Sequence, residues 1–179
     1  MHYSNIKITF FCHDKKLYVV YTRSRAEKKA YAELLALEIE AYLPTQRKLR
    51  QWSDRKKWVD MPLFPGYIFV HITNKDYDKT LKINNIVSFV RFEGKAAIVS
   101  NSQIESIKQI ANQTIHEVDI SHQLFNEGDQ VQVTSGPLIG LKGSLISYRG
   151  KKRVAVIINQ LSISLLVEIN VDSLEKIKE

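Results

Sequence analysis

Met61-Pro62-Leu63-Phe64-Pro65-Gly66-Tyr67-Ile68-Phe69-Val70 is the stretch on which the rest of the chain turns. Two prolines and a glycine mark a turn, and an alternating apolar run begins at Tyr67. A proline nitrogen carries no hydrogen for a strand ladder, so Pro62 and Pro65 belong before the strand and residues 66–72 form it. The period of two puts Tyr67 and Phe69 on one face. Both are therefore expected to be sheet core or both to be surface, unless the strand is an open edge.

Upstream, Arg47 to Lys57 reads Arg-Lys-Leu-Arg-Gln-Trp-Ser-Asp-Arg-Lys-Lys, six basic residues of eleven with one acidic. Ser53-Asp54 divides it, with Trp52 and Trp58 on either side, which predicts a β-hairpin with a basic tip. Tyr42-Leu43-Pro44 begins the strand before it. Leu17 to Thr22, β-branched and aromatic, is a further strand. Ser24, with Glu27 three residues on, has capping-box spacing and predicts a helix start. Ala26, Ala30, Leu34, Leu37 and Ala41 then recur at helical spacing over about four turns, a small-residue seam able to lie close on a sheet.

Downstream, residues 75–83 predict a short polar helix, and 86–99 a hairpin around Glu93-Gly94-Lys95. Ser100 and Ser102 both suit the cap of a helix striped by Ile104, Ile107 and Ile110. Periodicity is lost over 112–126. The expected organisation is a leader (1–15), a first domain (16–112), a linker (113–126) and a second domain (127–179). In the second domain Val131 and Val133 alternate, Gly136-Pro137 makes a tight turn, and Gly140 and Gly143 mark places of unusual φ or close backbone approach. Short strands at 144–147, 154–158 and 162–169 predict a small barrel. Val154, Ile157, Ile158, Leu161 and Leu165 also fit a helical stripe, but the alternation of Leu161, Ile163, Leu165, Val167 and Ile169 and the β-branched content favour strands.

The formal net charge is +7, which suits a polyanionic partner or a protein that is merely basic. The one cysteine, Cys12, excludes an internal disulfide and fits a reducing cytosol. The apolar run Ile8 to Cys12 is far too short to span a membrane. Histidines at 2, 13, 71, 116 and 122 have no metal-binding spacing, no glycine loop cradles a phosphate, and no carboxylate pair stands out. No enzyme activity, cofactor or metal is expected.

The segment Gly128 to Gly143 resembles a KOW motif, carried by Gly128, Asp129, Val131, Val133, Gly136, Pro137, Gly140 and Gly143. The upstream part is similar to the NusG N-terminal domain, in the strand from Tyr18 to Thr22 with its helix, in Pro62 to Val70, and in Val87-Ser-Phe-Val-Arg-Phe92. The likeness covers nearly everything from residue 16 onward, and the wording of Pro62 to Val70 and Phe89 to Phe92 is closer to the specialised RfaH-like antiterminators, including the UpxY type. The resemblance implies an α+β fold: an antiparallel ferredoxin-like sheet with flanking helices, then a small SH3-like KOW barrel. It implies a cytoplasmic monomer, with no membrane partner, that binds the β′ clamp helices of RNA polymerase and suppresses pausing and termination. Non-template DNA near the transcription bubble would be a second partner, and a ribosomal protein (NusE) or Rho would meet the KOW domain.

By the same resemblance Tyr21, Pro65, Tyr67, Phe69 and Phe89 lie in or beside the polymerase-facing surface, although Phe69 and Phe89 also suit ordinary sheet core. The candidates for nucleic acid are Arg23, Arg25 and Lys28, then Arg47, Lys48, Arg50, Arg55, Lys56 and Lys57 on the hairpin, with Trp52 available to stack on an unpaired base. A solvated charged hairpin with tryptophans packed beneath it fits the same residues. The other functions compatible with these motifs are a housekeeping NusG elongation factor and a ribosome-associated KOW protein that binds RNA.

Overall fold

The computed structural model describes residues 15–52, 54–112, 118–122 and 128–177. Cys12, His2, His13, His116, Ser53, Glu127 and the leader before Lys15 lie outside the described residues. The first half runs β1 (Lys16–Thr22), α1 (Glu27–Ala36), β2 (Glu40–Tyr42), β3 (Thr45–Gln51), β4 (Lys56–Pro62), β5 (Tyr67–Ile72), α2 (Tyr77–Leu81), β6 (Ile86–Phe89), β7 (Arg91–Phe92), β8 (Lys95–Ala96) and α3 (Asn101–Ala111). Four strands pair antiparallel in the order β2-β5-β1-β6, so β5 is interior to its sheet. Strands β3 and β4 pair only with each other, as a separate ribbon joined at its base by Leu63 N donating to Pro44 O at 2.7 Å.

Alternation along β1 and β5 feeds two cores. Tyr18, Val20, Ile68 and Val70 pack with Ala30 and Leu34 of α1 and with Ile86 and Phe89 of β6. Val19 and Phe69 belong to the other cluster, with Ile104, Ile107 and Ile110 of α3. Ser100 is the cap of α3: its Oγ accepts from Gln103 N at 3.2 Å, while Gln103 Oε1 accepts from Ser100 N at 3.1 Å.

Helix α1 departs from the expected start and length. It begins at Glu27 without a side-chain cap and holds 10 residues. Glu38 adopts φ 57° and Ile39 N donates back to Leu34 O at 3.0 Å, so the chain leaves the helix and Ala41 lies in β2. Helical spacing continued in the sequence past the point where a left-handed residue ended the helix.

The second half runs β9 (Val118–Ser121), β10 (Asp129–Val133), β11 (Lys142–Tyr148), β12 (Lys151–Ile158), β13 (Ile163–Glu168) and β14 (Leu174–Lys176), in the sheet order β14-β10-β11-β12-β13-β9. Gly136, Pro137 and Gly140 lie in the exposed connection between β10 and β11. Val154 and Leu165, which also fitted a helical stripe, are strand residues facing the core. Strand β9 falls within the stretch expected to be linker. It pairs antiparallel with β13, and Asp119 forms an ion pair with the buried Arg153, whose guanidinium also lies 3.9 Å from Glu168 and 5.7 Å from the Tyr148 ring centre.

The two halves touch through α3. Gln103 Nε2 donates to Gln160 Oε1 at 3.2 Å and Gln109 Nε2 to the Ile139 carbonyl at 3.2 Å. One buried cluster runs from Val19 and Phe69 through α3 to Leu138, Leu141 and Val154. No helix among the described residues is long and apolar enough to cross a membrane.

Candidate functional site

Phe64 to Tyr67 form a β-turn, with Tyr67 N donating to Phe64 O at 3.2 Å and Gly66 at φ 86°. Proline at the second position and a positive φ at the third are the demands of a type II turn, so the sequence dictates the bend. The turn delivers Tyr67 to the first position of β5, directly opposite Tyr21 near the end of β1. The two rings meet edge-on at 5.4 Å between centroids. Tyr21 lies over Gly66, where a Cβ would come within 3.0 Å of its ring. Tyr21 is 45% exposed, Tyr67 half-buried and Pro65 exposed. Burial, and then the neighbouring Tyr21 phenol, push the Tyr67 hydroxyl above its ordinary range, so it stays neutral at physiological pH. The result is an aromatic patch at one end of the sheet.

Phe69 and Phe89 are not part of that patch. Phe69 is 0% exposed, 5.7 Å from the Phe64 ring centre and 6.4 Å from that of Tyr42. It shares a face with Tyr67, as the alternation required, but α3 covers the middle of that face, whereas Tyr67 sits at its end beside Tyr21. Phe89 is 4% exposed on the opposite face, stacked on Tyr77 at 3.9 Å and edge-on to Tyr18 at 5.8 Å. Neither side chain has surface to offer a partner.

The turn is also pinned from α1. Glu27 is buried, and its Oε1 accepts from Gly66 N at 2.7 Å. This side chain, expected as half of a capping box with Ser24, instead satisfies a backbone donor 39 residues away. Glu27→Ala orphans that N–H and should cost about 1–3 kcal/mol in denaturant unfolding, while Glu27→Gln keeps an acceptor and most of the stability. Equal stability of the Ala and Gln variants would contradict this role.

Arg23, Arg25 and Lys28 are exposed just beyond Tyr21. Thr22 N donates to Gly66 O at 2.8 Å and Arg23 N to Asn85 O at 3.0 Å, so the basic residues adjoin the aromatic patch through the backbone. Arg47, Lys48, Arg50, Trp52, Arg55, Lys56 and Lys57 are exposed on the β3–β4 ribbon, whose tip is closed by Trp52 N donating to Arg55 O at 2.8 Å. The tryptophans are not packed beneath a charged surface; both project from the ribbon. Leu49 and Trp58 are site candidates missed on sequence alone, and the signal for them was the strand register. Among the described residues no group of three or more His, Cys, Asp or Glu is placed to hold a metal ion.

A family profile described as transcription termination factor nusG matches residues 15–108, more than half of the 179 residues. The Thermus thermophilus transcription termination/antitermination protein NusG is 28% identical over 164 residues, which cover 79% of this chain and 88% of that protein. The Bacillus subtilis protein of the same description is 26% identical over 181 residues, covering 92% and 99% respectively. A solved structure described as "Domain interaction in Thermotoga maritima NusG" shares the fold, with a TM-score of 0.54 over 92% of this chain and 98% of that one at 24% identity.

Proposed function

Because this chain belongs to the NusG family, we propose that it is a specialised transcription elongation and antitermination factor of the RfaH-like kind, which binds RNA polymerase and suppresses pausing and termination. The observation that carries this is the edge-on Tyr21–Tyr67 pair, with exposed Pro65, at one end of the sheet. An exposed aromatic pair held by a rigid turn is preorganised to enter an apolar surface on a large partner, and buried aromatics are the side chains that most often dominate an interface. The partner surface proposed is the clamp helices of the β′ subunit. Arg23, Arg25 and Lys28 beside the patch, and the ribbon beyond it, would then meet non-template DNA near the bubble. The KOW barrel would engage a second factor, either a ribosomal protein (NusE) or Rho. No chemical step is required of the chain.

A general NusG role is the second reading, favoured by the near full-length correspondence with the Bacillus subtilis protein. The specialised reading rests on the wording of Pro62 to Val70 and Phe89 to Phe92. The test is transcription in vitro with halted elongation complexes. The chain should shorten pauses and raise read-through, on templates carrying one particular DNA element if it is specialised and on all templates if it is general. No effect on any template, together with co-sedimentation with ribosomal subunits, would overturn both in favour of an RNA-binding KOW protein.

A further inference from the structure

Strand β9 lies in the connection between α3, which ends at Ala111, and β10, which begins at Asp129, yet it occupies the β13 edge of the barrel sheet. We infer that β9 is a removable cover: it holds that edge closed in the free chain, and an extended segment of a partner protein with the same apolar–acidic–apolar pattern takes its place. This deepens the proposal that the barrel engages a second factor, by naming where access is controlled and by what chemistry.

The register sets Val118 against Val167, Asp119 against Leu166, Ile120 against Leu165 and Ser121 against Ser164. Opposed residues share a face, so Val118 and Ile120 lie on the core side with Val167 and Leu165, and Asp119 and Ser121 on the other side with Leu166 and Ser164. Arg153 is on that second side too, because β12 sets it opposite Glu168. Its side chain is 5% exposed, Asp119 is its close ion-pair partner, and Glu168 stands off at 3.9 Å. The edge therefore selects a strand in three ways. Backbone groups pair, an apolar wall takes alternate side chains on one face, and a buried guanidinium demands a carboxylate on the other.

By each of these measures β9 is a modest occupant. It has 4 residues against the 6 of β13. Of its apolar side chains Val118 is buried and Ile120 half-buried, and the Asp119 side chain is 43% exposed. Beside its seat two buried donors, Arg153 Nε and Ser164 Oγ, have no hydrogen-bond partner among the described residues. Buried polar atoms are costly to leave unpaired, so a strand that runs the length of β13 and supplies their acceptors fits better than β9 does. A strand edge, once uncovered, is a template for such a guest. What favours β9 is its tether, which gives it an effective concentration of about millimolar order. A short, imperfectly fitted strand on a tether has the properties of an intramolecular competitor.

The test uses the full-length chain and a fluorescein-labelled peptide copying residues 116–123 as the guest. Asp119→Lys sets an ammonium against the Arg153 guanidinium and should expel β9 while leaving β13 and Arg153 as they are. Ile120→Asn should expel it from the apolar side. With β9 off the edge in about 0.1–10% of free wild-type molecules, the range of a minor state, both variants should bind the peptide about 10- to 1,000-fold tighter than wild type. The same peptide carrying Asp119→Lys should bind none of the three proteins. Equal peptide affinity in wild type and both variants, or no binding by any, would overturn the inference. Amide exchange on the same samples supplies a second check. Loss of protection across β11 and β12 in both variants would also overturn it, since β9 would then belong to the frame of the barrel. A wild-type dimer that the peptide dissociates would make a second copy the guest and overturn the assignment to a different protein. The assay contains neither polymerase nor a second factor. Peptide capture by a chain that recruits no factor would leave this inference standing and remove the wider one.

Discussion

Phe69→Ala is expected to destabilise the protein by about 3–5 kcal/mol, the range for deleting a buried aromatic side chain. The ring is fully buried between the sheet and α3, with Phe64 and Tyr42 beside it and Ile104 in the same cluster. Its removal opens a cavity that this layer cannot close, because β5 is interior to its sheet and hydrogen-bonded on both sides. The midpoint of urea unfolding, with an unchanged slope, measures the loss. A loss under about 1 kcal/mol accompanied by weakened partner binding would return Phe69 to the surface and contradict the burial.

Gly143→Val is expected to prevent the barrel from forming. A Cβ at this position meets the Ala155 carbonyl oxygen at 2.5 Å and Val154 Cγ1 at 2.8 Å. The oxygen is backbone on the neighbouring strand, so no rotamer relieves the contact, and β11 and β12 would have to separate along the ladder from Ser144–Ala155 to Tyr148–Lys151. Even Gly143→Ala should cost about 3 kcal/mol, the upper end for overpacking a close-fitting site. Amide exchange in the full chain locates the damage: protection should fall first in β11 and β12. An alanine variant as stable as wild type, with those amides still protected, would contradict the close approach.

How much of this was legible in the sequence depended on how local the cause was. The bend at Phe64 to Tyr67 was readable because proline and glycine act on their own backbone. The strands of the barrel were readable because period two is written in Val131, Val133, Leu165 and Val167. Glu27 was misread because its partner, Gly66 N, is distant in the chain, while Ser24 supplied a plausible local one. Tyr67 and Phe69 were bound together by strand geometry, yet their burial differs because a helix from another part of the chain covers one and not the other. Strand β9 carries only Val118 and Ile120 as alternating apolar residues, too short a pattern to stand out, and it is held in place by β13 and Arg153 from the barrel. Trp58 became a better stacking candidate than Trp52 once the register set it opposite Leu49 with Arg47 above it.

In the function proposed, the Tyr21–Tyr67 patch is where this chain holds RNA polymerase. The direct measurement is the affinity of full-length Tyr67→Ala for core polymerase beside that of wild type, with unfolding curves on the same samples. Tyr67 is half-buried at a strand end, so the variant should remain folded, and losing an aromatic anchor should weaken binding by at least about 30-fold, equivalent to about 2 kcal/mol. A folded Tyr67→Ala variant that binds polymerase within about twofold of wild type, a difference below about 0.5 kcal/mol, would contradict it.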